Sequence, residues 1–141
     1  MATFTKFQPF VENLAEKVHN LGSDTLKNML TNVAPVNTNS VFADLTEITA
    51  HNGYSAGGTA TTISSSAQTS GTYKLVITDI VFTASGGTIG AFQYTALYND
   101  TPTSPADPLI GFYNYGSSIT LADGETFTID YDASAGVLTI A

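Results

Sequence analysis

The sequence predicts a mainly β fold: an antiparallel β-sandwich or jelly-roll-like domain of about eight strands, with one N-terminal amphipathic helix. Three observations predict it. Charged residues make up only 11% of the 141-residue chain, well below the share usual in soluble domains, and Thr, Ser, Gly and Asn fill the polar positions instead. Short β-branched and aromatic runs recur about every ten residues, separated by Gly, Pro, Asn and Asp clusters. Helical periodicity is confined to the first segment, where Phe7, Phe10, Val11, Leu14, Val18 and Leu21 recur at spacings of three and four.

A chain of this length buries roughly two thirds of its unfolded surface around one core. A single domain over residues 1–141 is therefore expected, with a helix in 1–22 and a sandwich in 23–141. Cysteine is absent, so burial alone must supply the stability.

The elements follow in order. Two helix starts compete, a Thr5/Gln8 capping box and Pro9 at the first helical position, while Gly22 supplies the stop. Thr25 to Thr31 alternates as a first strand, and NVAPVNTNS (32–40) is turn chemistry. Val41 to Ile48 reads as one helical turn or as an irregular packing segment. From His51 to Gly71 the chain is Gly, Ser, Thr and Ala rich, which predicts a loop followed by a weak edge strand. Tyr73 to Ala84 is β-rich, but Ile80 and Phe82 run out of phase with Tyr73, Leu75 and Ile77. That shift requires a bulge near Thr78 and Asp79, or a strand that leaves one face for another. Ser85-Gly86-Gly87 then predicts a hairpin into Phe92, Tyr94, Ala96 and Tyr98. Further strands are expected around Leu109 to Tyr115, Ile119 to Leu121, Thr126 to Tyr131 and Val137 to Ile140, with Asp123-Gly124 as the clearest hairpin turn.

The formal net charge is −8, with four lysines and no arginine. Phosphate recognition needs clustered cations, so neither nucleic acid nor an anionic membrane is an expected partner. The N-terminal segment has no uninterrupted apolar run of the kind a secretory signal uses, and no stretch reaches membrane-span length. Synthesis in the cytoplasm is the expectation.

Chemistry-bearing residues are sparse. His19 lies beside the apolar stripe and reads as a helix histidine, and His51 stands in a Gly/Ser-rich run. No hydrolase, zinc-protease, nucleotide or redox motif is present, so a non-enzyme without a cofactor is expected. Asp130 and Asp132, two apart, would share a strand face near Asp123 and Glu125. Calcium could use such oxygens, but a solvated acidic face is the plainer reading. Phe92, Tyr94 and Tyr98 share one face by alternation, and Tyr113 and Tyr115 another. These rings fit core packing, interface anchors or sugar-stacking platforms. The loop NDTPTSPADP (99–108), with Pro102, Pro105 and Pro108, is stiff enough for a partner to dock at low ordering cost, or is simply a rigid connection.

Three segments carry a resemblance: FVENLAEKVHNLGSDTLKNMLTNVAPV, SSSAQTSGTYKLVITDIVFTASGGTIG and DPLIGFYNYGSSITLADGETFTIDYDASAGVLTIA. Together they resemble small virion structural proteins of tailed bacteriophages, most of all capsid decoration or cement proteins with a jelly-roll-type β fold. The resemblance implies a virion protein on the capsid exterior, made in the bacterial host cytoplasm, which bridges major capsid protein subunits as a homodimer or homotrimer. It also implies binding to the expanded lattice in preference to the precursor. Pro102, Pro105, Tyr113, Tyr115, Phe7 and Phe10 are the residues we assign to partner interfaces. Alternative functions are a carbohydrate-binding or fibre-tip module, and a head–tail or tail component.

Overall fold

Residues 2–141 are described in a computed structural model of the chain. Its strands form two layers, and the reason is visible in β2 (Leu26–Thr31). Leu26 and Leu30 point into one core while Met29 points into another, as side-chain alternation requires. Because both faces of this strand are covered, it carries apolar residues in both phases.

β2 belongs to a five-stranded antiparallel sheet of order β1-β8-β7-β2-β3, whose other members are Thr5–Lys6, Leu109–Leu121, Ile89–Asn99 and Thr59–Ala60. Opposite it lie a three-stranded sheet, order β10-β5-β4 (Leu138–Ile140, Thr72–Ile77, Ile63–Thr69), and a two-stranded one of β6 (Ile80–Thr83) and β9 (Thr126–Ile129). The main core is the filling of this sandwich. Leu26, Leu30, Leu97 and Ile110 from the large sheet meet Leu75, Ile77, Phe82 and Ile129 from the smaller ones. The second core sits on the outer face of the large sheet, where Phe7, Met29, Ala96, Tyr98 and Leu109 are roofed by Phe42 and Leu45. Phe42 belongs to a 3-10 turn, Phe42–Asp44, one of the two alternatives expected for that segment.

The roof is stapled by its polar groups. The Tyr54 hydroxyl accepts from the Leu30 N–H at 3.0 Å and donates to Glu47 Oε1 at 2.7 Å. Glu47 Oε1 also accepts from the Gly57 N–H, and the Gly57 carbonyl accepts from the Tyr98 hydroxyl, both at 2.6 Å. Inside the sandwich, Asn28 bonds the Tyr131 hydroxyl at 2.7 Å and accepts from the Thr95 hydroxyl at 3.1 Å, so a buried amide on the core face of β2 is satisfied.

Several expectations need correction. The helix, α1, spans only Pro9–Ala15. Pro9 at its first position wins over the capping box, because Thr5 and Lys6 are already paired in β1. It stops at Lys17 rather than Gly22. Lys17 takes φ 69°, the Lys17 N–H donates to the Leu14 carbonyl, and the Val18 N–H reaches back to the Asn13 carbonyl. That is the Schellman pattern, usually built on glycine. Consequently Phe10 faces the main core, Val11 is 52% exposed, and Val18 and Leu21 lie beyond the helix. The phase shift after Ile77 is a strand leaving one sheet for another, since β5 pairs β4 and β10 whereas β6 pairs β9. Neither Ser85–Gly87 nor Asp123-Gly124 closes a hairpin. Both are crossovers between layers, bound together by Ala84 N–H to Glu125 O and Gly124 N–H to Ala84 O. The edge-strand expectation for the Ser/Thr-rich run matches β4, at the end of its sheet. The two expected strands in 109–121 are one long β8.

Candidate functional site: an aromatic trough beside β8

The long β7–β8 hairpin positions the expected partner residues. Its register runs evenly from Thr95↔Tyr113 to Leu97↔Gly111, then breaks: Tyr94 faces Asn114 while Phe92 faces Ile119. β8 therefore carries a bulge at Tyr115 to Ser118. Gly116 adopts φ 99°, and Asn114 Oδ1 accepts from the Gly116 N–H at 2.8 Å, which pins the bulge. The bulge lifts Tyr115 clear of the sheet, leaving it 55% exposed. Its ring is still held edge-on against Phe127 at 5.7 Å, and Phe127 meets Phe92 edge-on at 5.0 Å.

Between these strands and β9 opens a trough of about 220 Å³, floored by Phe92, Tyr94, Tyr113 and Phe127, with Tyr115 and Asp130 at its rim. Tyr113 is braced by Phe4 at 5.1 Å and Tyr131 at 5.9 Å. Burial, and then the Asp130 carboxylate, raise its phenol above the ordinary tyrosine range, so it stays a neutral hydrogen-bonding hydroxyl. On the polar side, Gln93 Nε2 donates to Asn114 Oδ1 at 3.0 Å and to the Tyr94 hydroxyl at 3.3 Å. No lysine lines the trough.

Alternation alone misassigned part of this set. The break in register turns Phe92 into the sandwich core, whereas Tyr98 is buried in the outer core, so Phe92, Tyr94 and Tyr98 form no shared platform. Phe7 and Phe10 are 0% and 5% exposed within this chain's own two cores and offer no surface. Pro102 and Pro105 are half-buried in the β7–β8 connection. There the Asn99 N–H donates to the Pro108 carbonyl, Lys27 pairs with Asp100 at 3.2 Å, and the Phe42 N–H donates to the Asp107 carbonyl. The loop is thus tied to its surroundings along its length. It does not meet the trough, because four residues of β8, Leu109 to Phe112, intervene, a span of about 13 Å.

The other chemistry-bearing groups have structural partners. His19, outside the helix, is buried, with its ring 5.0 Å from Phe10 and Nδ1 3.2 Å from the Asn99 amide nitrogen. Burial lowers its pKa to about 4 against the opposing pull of Asp24, so the ring is neutral at pH 7. His51 Nδ1 lies 3.1 Å from the Asn52 amide. Neither imidazole is hydrogen-bonded to a hydroxyl among the described residues. Asp130 and Asp132 lie beyond the end of β9 rather than on a common strand face. Asp132 accepts from the Ser134 and Ala135 N–H groups, Asp123 from Gly86, and Glu125 from Ala122. Glu125 and Asp132 serve their own turns and Asp123 ties its turn to Gly86, and no cluster of three or more metal-ligating side chains forms among the described residues. No described helix is long and apolar enough to cross a membrane.

No family model, curated protein or solved structure matches this chain. The sequence of β8 encodes only half of the trough. Tyr113 and Tyr115 share a phase in the sequence, but Phe127 joins them only because β9 crosses to the opposite layer, and Gln93 on β7 only because the register break sets it beside Asn114.

Proposed function

We propose that this chain is a bacteriophage virion structural protein that binds the outer capsid surface and cements the lattice of the major capsid protein. The observation that carries the reading is the charge arrangement. The chain has net charge −8 and no arginine. Of its four lysines, Lys27 is paired with Asp100 and Lys74 donates to the Ser134 carbonyl. Such a molecule is repelled by packaged DNA and suits the outer face of a shell. The resemblance of three segments to decoration proteins supports the same role.

The geometry supports bridging. The trough and the tied proline loop lie at separate places along β8, so one molecule presents two surfaces to two subunits. Each contact can then be modest, since the second forms at a high effective concentration. Preference for the expanded lattice would come from spacing: both surfaces engage only where two subunits stand the right distance apart. Co-sedimentation with mature capsids and with precursor shells of the encoding phage tests this. Binding to mature shells, weakened by Tyr115→Ala, is expected; failure to sediment with either shell rules the role out.

A second reading is favoured by one observation, the exposed Tyr115 ring set edge-on against Phe127 beside the Gln93, Asn114 and Tyr94 polar row, which suits stacking of a neutral sugar as in a fibre-tip module. A glycan array gives the contrast. Silence across neutral oligosaccharides, or binding unchanged by Tyr113→Ala and Tyr115→Ala, removes this reading and leaves the capsid one untouched.

A further inference from the structure

We propose that the free edge of β4 pairs, antiparallel and strand to strand, with the same edge of a second copy of this chain. Ser70 and Gly71, at φ 52° and 84°, form a two-residue turn that sets Thr69 opposite Thr72. In such a hairpin the residues flanking the turn exchange hydrogen bonds, and every second pair does so thereafter. Thr69, Ala67 and Ser65 therefore bond inward to Thr72, Lys74 and Val76. Ser66 and Gln68 turn their N–H and C=O groups to the open side, where β4 has no neighbouring strand and no other backbone partner among the described residues.

Exposed edges are commonly blunted by brevity, charge or proline. The other terminal strands of this fold follow that rule. β1 and β3 have two residues each and β10 has three; β6 and β9, both terminal in their two-stranded sheet, have four each, β6 preceded by Asp79 and β9 bracketed by Glu125 and Asp130. β4 is seven residues long, Ile-Ser-Ser-Ser-Ala-Gln-Thr, with no lysine, acid or proline. Its only irregularity is a bulge at the far end, between Ile63 and Ser65.

Charge identifies a second copy as the occupant. Two molecules of charge −8 repel each other, yet between Glu47 and Lys74 the chain carries no Asp, Glu or Lys. The β4 edge is thus a place where like molecules meet with little repulsion. Rotation about a two-fold centred on Ser66 sets that residue opposite its own copy and Ser64 opposite Gln68. The open N–H and C=O groups of Ser66 then meet those of its own copy, the self-complementarity that an isologous contact requires. Ser65 and Ala67 are small and exposed, so their own side chains do not bar the approach. The pairing does not depend on the capsid reading.

Sedimentation equilibrium and hydrogen exchange on the intact chain, from about 10 μM to about 1 mM, span the affinities a single strand pair can give. The mass is expected to rise from 14.8 kDa toward twice that value. Exchange at the Ser66 and Gln68 amides should slow at least about tenfold with concentration, while the inward Ser65 and Ala67 amides stay slow throughout. The double variant Ser65→Glu, Ala67→Glu sets like charges across the dyad, and Gln68→Pro removes an open N–H. Each should hold the mass at 14.8 kDa with an unchanged near-UV circular dichroism spectrum. A monomer at every concentration overturns the proposal. So does a dimer that survives both variants, or one whose new protection lies away from β4.

Discussion

Lowering the pH from 8 to 5 should cost this protein stability through one residue, His19. Its ring is buried against Phe10, and its Nδ1 lies beside the Asn99 amide. Asn99 Nδ2 also donates to Asp24 at 2.6 Å, so the histidine nitrogen facing it acts as an acceptor and the ring proton sits on Nε2, which has no partner. Protonation would place a cation in this site, and Lys17, on the same surface depression, adds no compensation. The folded pKa is about 4 against an ordinary 6.5. Between those values the unfolded chain binds a proton that the folded chain refuses, so stability is full above pH 6.5, falls through the window and levels off below about 4. At about 1.4 kcal/mol per unit, discounted for residual solvent screening, the loss between pH 8 and pH 5 is about 1–2 kcal/mol. Urea midpoints at pH 8, 7, 6 and 5 measure it. His19→Gln keeps an acceptor for Asn99 and cannot titrate, so it should be less stable at pH 8 yet lose less on acidification. Asp44 and Asp132 are held below their ordinary 3.8 by backbone N–H groups; their contributions are lost only below this window. Equal losses for the native chain and His19→Gln would refute the reasoning.

Three further outcomes follow from packing. At Gly111 an added Cβ would overlap the Phe4 ring, so Gly111→Ala should displace the N-terminal arm, cost about 1–2 kcal/mol and speed tryptic cleavage after Lys6, read by mass spectrometry. Tyr54→Phe strips the buried Leu30 N–H of its acceptor and should cost about 1–3 kcal/mol in chemical denaturation. Gly58→Ala and Gly71→Ala form a matched pair, both at positive φ. The first drives a Cβ into the Asn28 backbone while the second meets nothing within 4 Å. Gly71→Ala should therefore cost about 1 kcal/mol and Gly58→Ala at least about 3 kcal/mol, as thermal or urea unfolding would show.

The class of fold was legible because burial writes its period into each strand. Leu26 to Thr31 and Tyr73 to Ile77 could be placed from their own residues, and so could the weak edge character of Ile63 to Thr69. The helix end was not legible, since its stop is a left-handed Lys17 rather than a glycine, and that choice is set by the turn behind it. The aromatic trough was legible as far as one strand reaches. Tyr113 and Tyr115 share a phase, but Phe127 joins them from the opposite layer, and no periodicity within β8 encodes that.

The two failed hairpins share a cause that bears on function. Gly86-Gly87 and Asp123-Gly124 have the residues that a tight reversal needs, and the chain does reverse there, but a turn fixes only the change of direction and not the neighbour found afterwards. Here the longest ladder, between β7 and β8, draws those two strands together across the proline loop. β6 and β9 are left to pair with each other in the second layer. That exchange sets β9 across from Tyr113 and Tyr115 instead of beside them, which opens the trough. Had Asp123-Gly124 closed a hairpin, β9 would have covered the edge of β8 and no trough would exist. The surface offered to a partner is thus a product of long-range strand choice. A substitution that favours the local hairpin should close the site without touching any residue that lines it.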